Sequence, residues 1–184
     1  MQTNALKPIT ARDFMELPEG PPYYQLIEGD LYMSPSPNLF HQDIAGNIYH
    51  IIRSYLAKRR VGTVHIAPSD VKLSELNVYE PDVYFVANSR KAILTRQGAE
   101  GAPNLVVEVL SPRTAKLDKG AKRVVYARAG VEELWIVDPE TKRVHVYRLG
   151  ESADEPAGTY GVRGKIESPL FPGLKIPVAK VFQQ

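Results

Sequence analysis

The chain has no cysteine, and its 184 residues include one tryptophan and four histidines. The absence of thiols excludes disulfides, zinc–thiolate sites and thiol catalysis, and it fits a reducing compartment, so we expect a cytoplasmic protein. So few histidines do not favour a histidine-rich metal site. The sequence also has no glycine-rich phosphate loop, dinucleotide fingerprint or Ser-His-Asp order. These absences remove several common enzyme classes from consideration.

Long apolar runs are missing as well. No stretch approaches the roughly 20 apolar residues that span a bilayer, and the first residues lack the apolar region of a signal peptide, so we expect no membrane partner. The net charge of +2 is too small to indicate nucleic acid by itself, although a local basic patch stays possible. The composition, 43% apolar and 24% charged, is typical of a globular protein with one substantial core.

The hydrophobic pattern predicts an α/β protein with a mixed central β-sheet flanked by helices. Helical spacing is clearest over 40–58, where we expect Gly62 to close the helix, and shorter helices are predicted over 10–17, 89–95 and 116–129. A β-hairpin is predicted over 24–33. Further strands are predicted over 63–67, 70–73, 78–86, 104–110, 134–137 and 143–149. We expect loops over 98–103 and 150–165. The whole chain, 1–184, reads as one domain with its core at about 10–149, followed by a loop and C-terminal tail over 150–184.

Glu108 is the only charged residue in the apolar run 104–110. Alternate residues of a strand share a face, and a strand that is apolar on both faces is typical of the centre of a covered sheet. A lone carboxylate buried there would cost several kcal/mol unless a cation, proton or hydrogen bond compensates it. Two plainer interpretations stay open: a partly exposed edge strand, or an ion pair with an arginine such as Arg123.

A second acidic residue, Asp82, opens another predicted strand. If the two carboxylates meet, they repel unless a positive group lies between them, and Mg²⁺ prefers such oxygen ligands. Lys122 follows Asp118 by four residues on the next helix, with Tyr126 one turn further, so all three share one helix face. Such a lysine could orient a nucleophile. Alternatively, Asp82 simply begins a strand and Lys122 is a solvated helix lysine.

Pro81-Asp82 followed by Glu108-Val-Leu110 resembles the PD-(D/E)xK nuclease signature. The usual lysine of the third element is replaced by Leu110, and Lys122 is the candidate to take its place. The wider pattern is similar to the Uma family of bacterial endonucleases, formerly catalogued as a domain of unknown function. The resemblance covers roughly 10–149 and is carried by the segments 24–31, 34–37, 108–112, 122–126 and 130–139.

The resemblance implies a restriction-endonuclease-like fold and a Mg²⁺-dependent (or Mn²⁺-dependent) endonuclease that hydrolyses phosphodiester bonds of nucleic acid, with DNA the expected partner. Asp82, Glu108 and the carbonyl of Val109 would hold the metal. Lys122 would position the attacking water and complete a catalytic set with the two carboxylates. Because duplex cutters often pair two active sites, we expect a homodimer or higher homo-oligomer.

Two residues receive possible supporting roles. Glu28 lies in the predicted hairpin and belongs to the resemblance, so it could support the metal site, although a solvated turn carboxylate is the ordinary alternative. His41 opens the long helix and could contact phosphate or metal, unless it is an ordinary surface histidine. No nucleic-acid-binding residues are assigned. The basic cluster 58–60 suits the dipole at the end of the long helix, or alternatively adds to a phosphate-binding rim with Arg113 and Lys116.

Two other functions stay open from the sequence. The missing lysine at Leu110 favours a nuclease-like fold that has lost catalysis and binds nucleic acid or a protein partner. The acidic pair could also form a site for a small phosphorylated ligand. A salt-dependent association with DNA would count against that last interpretation.

Overall fold

The computed structural model describes residues 7–18, 20–34, 36–111 and 120–184. Within these ranges the helices are α1 (Ala11–Met15), α2 (Leu39–Arg59), α3 (Ala121–Ala129) and α4 (Val178–Val181), with a 3-10 helix at Asn88–Ile93. The strands are β1 (Tyr23–Ile27), β2 (Asp30–Ser34), β3 (Gly62–Ile66), β4 (Asp70–Ser74), β5 (Asn77–Tyr79), β6 (Val83–Ala87), β7 (Gly98–Glu100), β8 (Leu105–Val109), β9 (Glu133–Asp138), β10 (Arg143–Arg148), β11 (Gly158–Gly161), β12 (Lys165–Glu167) and β13 (Lys175–Pro177).

The largest sheet has the order β11-β10-β9-β8-β6-β3. Its β8–β9 pair is parallel, whereas β6 pairs antiparallel with both β8 and β3. The sheet is therefore mixed, as the sequence predicts. β8 lies near its middle with all five residues buried, which confirms the prediction of a central strand rather than an exposed edge.

Helices cover both faces of this sheet. Leu105, Val107 and Val109 pack into one core with α2, whose buried residues recur at helical spacing. The alternate residues Val106 and Leu110 pack into a second core with α3. Glu108 shares this second face because strand side chains alternate. The periodicity of β8 thus directs its one carboxylate toward α3.

The predicted single strand over 78–86 is wrong. The structure divides it into β5, in a five-stranded sheet of order β2-β1-β5-β4-β7, and β6, in the six-stranded sheet. Pro81 lies between them and has no N–H for a strand ladder, so the pairing stops there. The break leaves Asp82 immediately before β6, beside the end of β8. Part of the predicted loop over 98–103 is also a strand, because β7 pairs with β4.

The C-terminal prediction also needs correction. Part of the loop predicted over 150–165 is β11, which pairs with β10, and β12 forms a hairpin with β13. Phe171 and Val178 are buried in the same core as α2, so the tail packs on its own chain. These short segments lack strong alternation of apolar residues, and they become strands because partners distant in sequence pair with them.

The helix ends follow local rules. Thr10 caps α1 through a capping box with Asp13, and Gly130 ends α3 in the left-handed conformation. The long helix ends instead at left-handed Arg60, and Gly62 begins β3. The first part of the helix predicted over 116–129, Asp118 included, lies outside the described residues, as do Arg113 and Lys116. Among the helices that the structure describes, none is long and apolar enough to cross a membrane.

Candidate active site

One cleft of about 1180 Å³ opens where the end of β8 meets the start of β6 and the N-terminus of α2. The predicted residues that line it are His41, Asp82, Glu108, Val109 and Lys122. The sixth predicted residue, Glu28, is not among its described lining residues. The structure therefore brings together the acidic pair, the carbonyl donor, the lysine and the histidine. Their chemical roles stay predictions.

Glu108 is 4% exposed and has compensating partners on α3. Its Oε1 lies 3.1 Å from Nζ of Lys122 and accepts a 2.6 Å hydrogen bond from the hydroxyl of Tyr126. Lys122 and Tyr126 are four residues apart, so one helix face presents both. The compensating cation is this lysine, not Arg123, which pairs with exposed Asp154 at 3.4 Å. Both members of the Glu108–Lys122 pair are buried, so removing either one would leave the other charge without its partner.

Asp82 is fixed by the backbone of β8. Its Oδ2 accepts a 2.6 Å hydrogen bond from the N–H of Val109. Nε2 of His41 lies 3.4 Å from the same oxygen and 2.9 Å from the carbonyl oxygen of Val109. Asn38 caps α2 by accepting the backbone N–H of His41, which sets the imidazole at the helix start. The two main-chain groups of Val109 thus tie Asp82 and His41 to the end of β8.

A second set of side chains supports Tyr126 from the other sheet. The ring of Tyr79 meets that of Tyr126 edge-to-face, with centroids 5.3 Å apart, and Nζ of Lys122 lies 5.6 Å from the Tyr79 centroid. The Tyr79 hydroxyl donates a 2.8 Å hydrogen bond to Oδ1 of Asn77. Burial raises the pKa of Tyr79 far above its ordinary value, and the charges of Glu28 and Glu108 add to the effect. The phenol is therefore a neutral donor.

Glu28 lies at the far end of this series of contacts, in the turn between β1 and β2, with φ of 51°. Nδ2 of Asn77 donates to Glu28 Oε1 at 2.9 Å, and the Glu28 N–H donates back to Asn77 Oδ1 at 3.0 Å. The hydrogen bond from Asn77 lowers the pKa of Glu28, and Arg128, its ion-pair partner, acts in the same direction. Glu28 thus connects to Glu108 through Asn77, Tyr79 and Tyr126 rather than directly.

Comparison with known proteins identifies the family. The model of the Uma2 family, described as "Putative restriction endonuclease", matches residues 11–179. The chain belongs to the Uma2 family. A crystal structure described as "a putative nuclease belonging to DUF820 from Anabaena variabilis ATCC 29413" is 22% identical. The match has a TM-score of 0.78 and covers 95% of this chain and 98% of that one. This likeness confirms the restriction-endonuclease-like fold. No curated protein matches the chain.

The donor atoms of this Uma2 cleft suit a hard divalent cation. In the described parts of the chain, no group of three or more His, Asp or Glu side chains is arranged for a metal. The predicted set is different, since it consists of two carboxylates and a backbone carbonyl. Mg²⁺ is commonly held by one or two carboxylates and keeps several waters. The oxygens of Asp82, Glu108 and Val109 are therefore of the kind that Mg²⁺ or Mn²⁺ takes as ligands, and metal binding by them stays a prediction.

Sequence reasoning missed two features of the Uma2 cleft. Glu80 lines it, and burial raises the pKa of that carboxyl, with the negative charge of Asp70 adding to the shift and Lys122 opposing it. The position of Glu80 two residues before Asp82 was a signal that could have found it. Tyr126 was recognised only as a neighbour of Lys122 on the helix, and its hydroxyl bond to Glu108 could not be read from spacing. Asp138 caps the turn after β9 and also lines the cleft.

Proposed function

We propose that this chain is a Mg²⁺-dependent or Mn²⁺-dependent nuclease that hydrolyses phosphodiester bonds of nucleic acid, with DNA as the expected substrate. The observation that carries the proposal is a single cleft lined by Asp82 and Glu108, with the ammonium of Lys122 3.1 Å from the second carboxylate. Carboxylates can hold a metal that assists phosphoryl chemistry, and a nearby amine can orient the nucleophile or offset negative charge. The family description supports a nuclease in the same direction.

In this proposal, Asp82, Glu108 and the Val109 carbonyl hold the metal, which when bound polarises a phosphoryl oxygen and lowers the pKa of a bound water. Lys122 has three N–H donors, so one can remain on Glu108 while another orients the attacking water. The Val109 N–H holds Asp82 in one orientation. His41, at the Val109 carbonyl, restrains the backbone that carries the third donor.

In this proposal, Lys122 takes the place of the lysine that is missing from the sequence signature. Leu110 and Glu108 share one face of the strand, and Leu110 is buried against α3 in the second core. A lysine at position 110 would approach Glu108 from its own strand. Lys122 approaches the same carboxylate from the helix that covers that face. The same pair of charges is thus available with the amine supplied from α3.

Cleavage assays with purified protein test the proposal. Wild-type protein with Mg²⁺ or Mn²⁺ should cut a nucleic acid, whereas Glu108→Gln and Asp82→Asn should abolish cleavage and weaken Mn²⁺ binding measured by calorimetry. Glu140→Gln is the matched control, because Glu140 also lines the cleft but is exposed. A wild-type protein that binds Mn²⁺ yet leaves single-stranded and duplex DNA and RNA intact would contradict the proposal.

The competing function is a nuclease fold that binds nucleic acid or a protein partner without cleaving. Leu110 is the observation that favours it, since the lysine of the usual signature is absent from the strand. Salt-dependent DNA binding without cleavage would support this alternative. A site for a small phosphorylated ligand would show neither DNA binding nor cleavage. The proposed homodimer is tested separately by sedimentation at several protein concentrations.

A further inference from the structure

Three exposed apolar side chains line the cleft. Tyr23 is 46% exposed, Met33 62% and Ile66 36%, and all three line the cleft that contains Asp82 and Glu108. Exposed apolar groups beside polar ones commonly mark a surface that contacts a ligand or partner. The cleft therefore combines carboxylates with exposed apolar side chains, and Tyr23 supplies an aromatic ring among them.

Tyr23 is placed close to the carboxylates of the cleft by the strand that carries it. It precedes Gln25 by two residues on β1, so both side chains lie on one face, roughly 7 Å apart along the strand. Gln25 Oε1 accepts the backbone N–H of Glu80 at 3.5 Å, and Glu80 is two residues before Asp82. Tyr23 is thus two residues along β1 from Gln25, which contacts the segment that carries Asp82.

The charges of the described lining residues do not suit a row of phosphates. They comprise five carboxylates, one histidine and one lysine, and that lysine lies against Glu108. A duplex presents its phosphates and keeps its bases stacked inside, whereas an unpaired strand can place bases against aromatic and apolar side chains. The described lining of the cleft therefore offers more to bases than to a phosphate backbone.

We propose that the nuclease acts on nucleic acid with unpaired nucleotides at the scissile phosphate, and that Tyr23 is the stacking surface for a base beside it. This inference rests on the proposed function, since it places the scissile phosphate at Asp82 and Glu108. Stacking on an aromatic ring is tolerant of base identity. Tyr23 should therefore select unpaired over paired nucleic acid without selecting a particular base sequence.

Binding measurements test this without relying on cleavage. A fluorescent single-stranded oligonucleotide and the same sequence as a blunt duplex are titrated with protein in Ca²⁺, followed by anisotropy. The single strand should bind more tightly, and Tyr23→Ala should weaken that binding about 5- to 150-fold, the usual range for one stacked base. Tyr23→Phe, which keeps the ring, should stay within about twofold to threefold of wild type.

Tyr32→Ala is the matched control. Tyr32 lies on the same hairpin, opposite Gln25, and is 37% exposed, but it is not a described lining residue of the cleft. It should bind the single strand as wild type does, with melting curves confirming that each variant is folded. Equal losses in both alanine variants would overturn the assignment to Tyr23.

Duplex binding as tight as single-strand binding, or wild-type affinity in Tyr23→Ala, would also overturn the inference. The two proposals fail separately. If the protein cuts duplex DNA and Tyr23→Ala does not change its binding affinity, only the inference of an unpaired substrate is contradicted. If the protein binds single strands through Tyr23 but cleaves no nucleic acid, only the proposal of nuclease activity is contradicted.

Discussion

The Glu108–Lys122 pair allows a stability prediction that does not depend on any activity. Both side chains are at most 5% exposed and lie 3.1 Å apart. Removing one partner of such a pair leaves an uncompensated buried charge and costs about 3–5 kcal/mol. We therefore expect Lys122→Met to lower the free energy of unfolding by that amount. Replacing both charges removes the problem, so Glu108→Gln combined with Lys122→Met should lie within about 1–2 kcal/mol of wild type.

Urea unfolding measures these differences, and the protein provides its own probe. Trp135 is the only tryptophan of the chain, and it is fully buried in β9 next to β8. Its fluorescence should report the loss of the core around the pair. The two single losses together should exceed the loss in the double variant by about 4 kcal/mol or more, and this excess is the coupling energy between the two charges.

Additive stability losses in the two single variants would contradict the compensation of Glu108 by Lys122. If the double variant loses as much stability as the two single variants together, the charges do not compensate each other in the folded protein. A single Lys122→Met variant as stable as wild type would be equally damaging. Glu167→Gln is the control, because its 3.2 Å pair with Lys175 is about 60% exposed on both sides and should contribute little.

Three further predictions address other parts of the molecule. Tyr126→Phe removes the 2.6 Å hydrogen bond to the Glu108 carboxylate and should cost about 1.5–3 kcal/mol by urea unfolding, with weaker Mn²⁺ binding by calorimetry; unchanged values in both would contradict the contact. Phe171→Ala should cost about 3–5 kcal/mol because Phe171 is buried against α2, and a loss below 1 kcal/mol would contradict the packing of the C-terminal segment. Burial raises the pKa of Glu133 in the folded protein. Above the ordinary glutamate pKa of about 4.3, the folded state therefore binds more protons than the unfolded state. The free energy of unfolding consequently falls as the pH rises through the folded-state pKa. Glu133→Gln removes this titration, so its stability relative to wild type should increase from pH 4 to pH 8 in urea unfolding, and a constant difference would contradict the shift.

Local pattern predicted much of the fold. The apolar run around Glu108 indicated a covered central strand, and helical spacing indicated α2, because these features depend on residues close in sequence. The division between β5 and β6 was missed because strand-like apolar residues, Val78-Tyr79 and Val83-Tyr84, lie on either side of the short polar segment 80–82. The strands after residue 150 were missed because their pairing with β10 and with each other is set by tertiary contacts.

The candidate site was predictable in part for the same reason. Helix spacing brought Lys122 and Tyr126 to one face, and the resemblance pointed to Asp82 and Glu108. Sequence alone could not show that Tyr126 donates to Glu108, because that requires knowing where α3 crosses β8. Glu28 shows the limit most clearly: its link to the cleft runs through Asn77, which is distant from it in sequence and hydrogen-bonds to it across two paired strands.

The contacts at Val109 have a consequence for natural variation and for engineering. Its amide and carbonyl hold Asp82 and His41, while its isopropyl group only fills the core beside α2. Isoleucine or leucine at this position should therefore leave the contacts with Asp82 and His41 intact, whereas proline, which has no amide proton, would release Asp82. Diversity at position 109 among homologues would therefore say little about whether the arrangement of Asp82 and His41 has been kept.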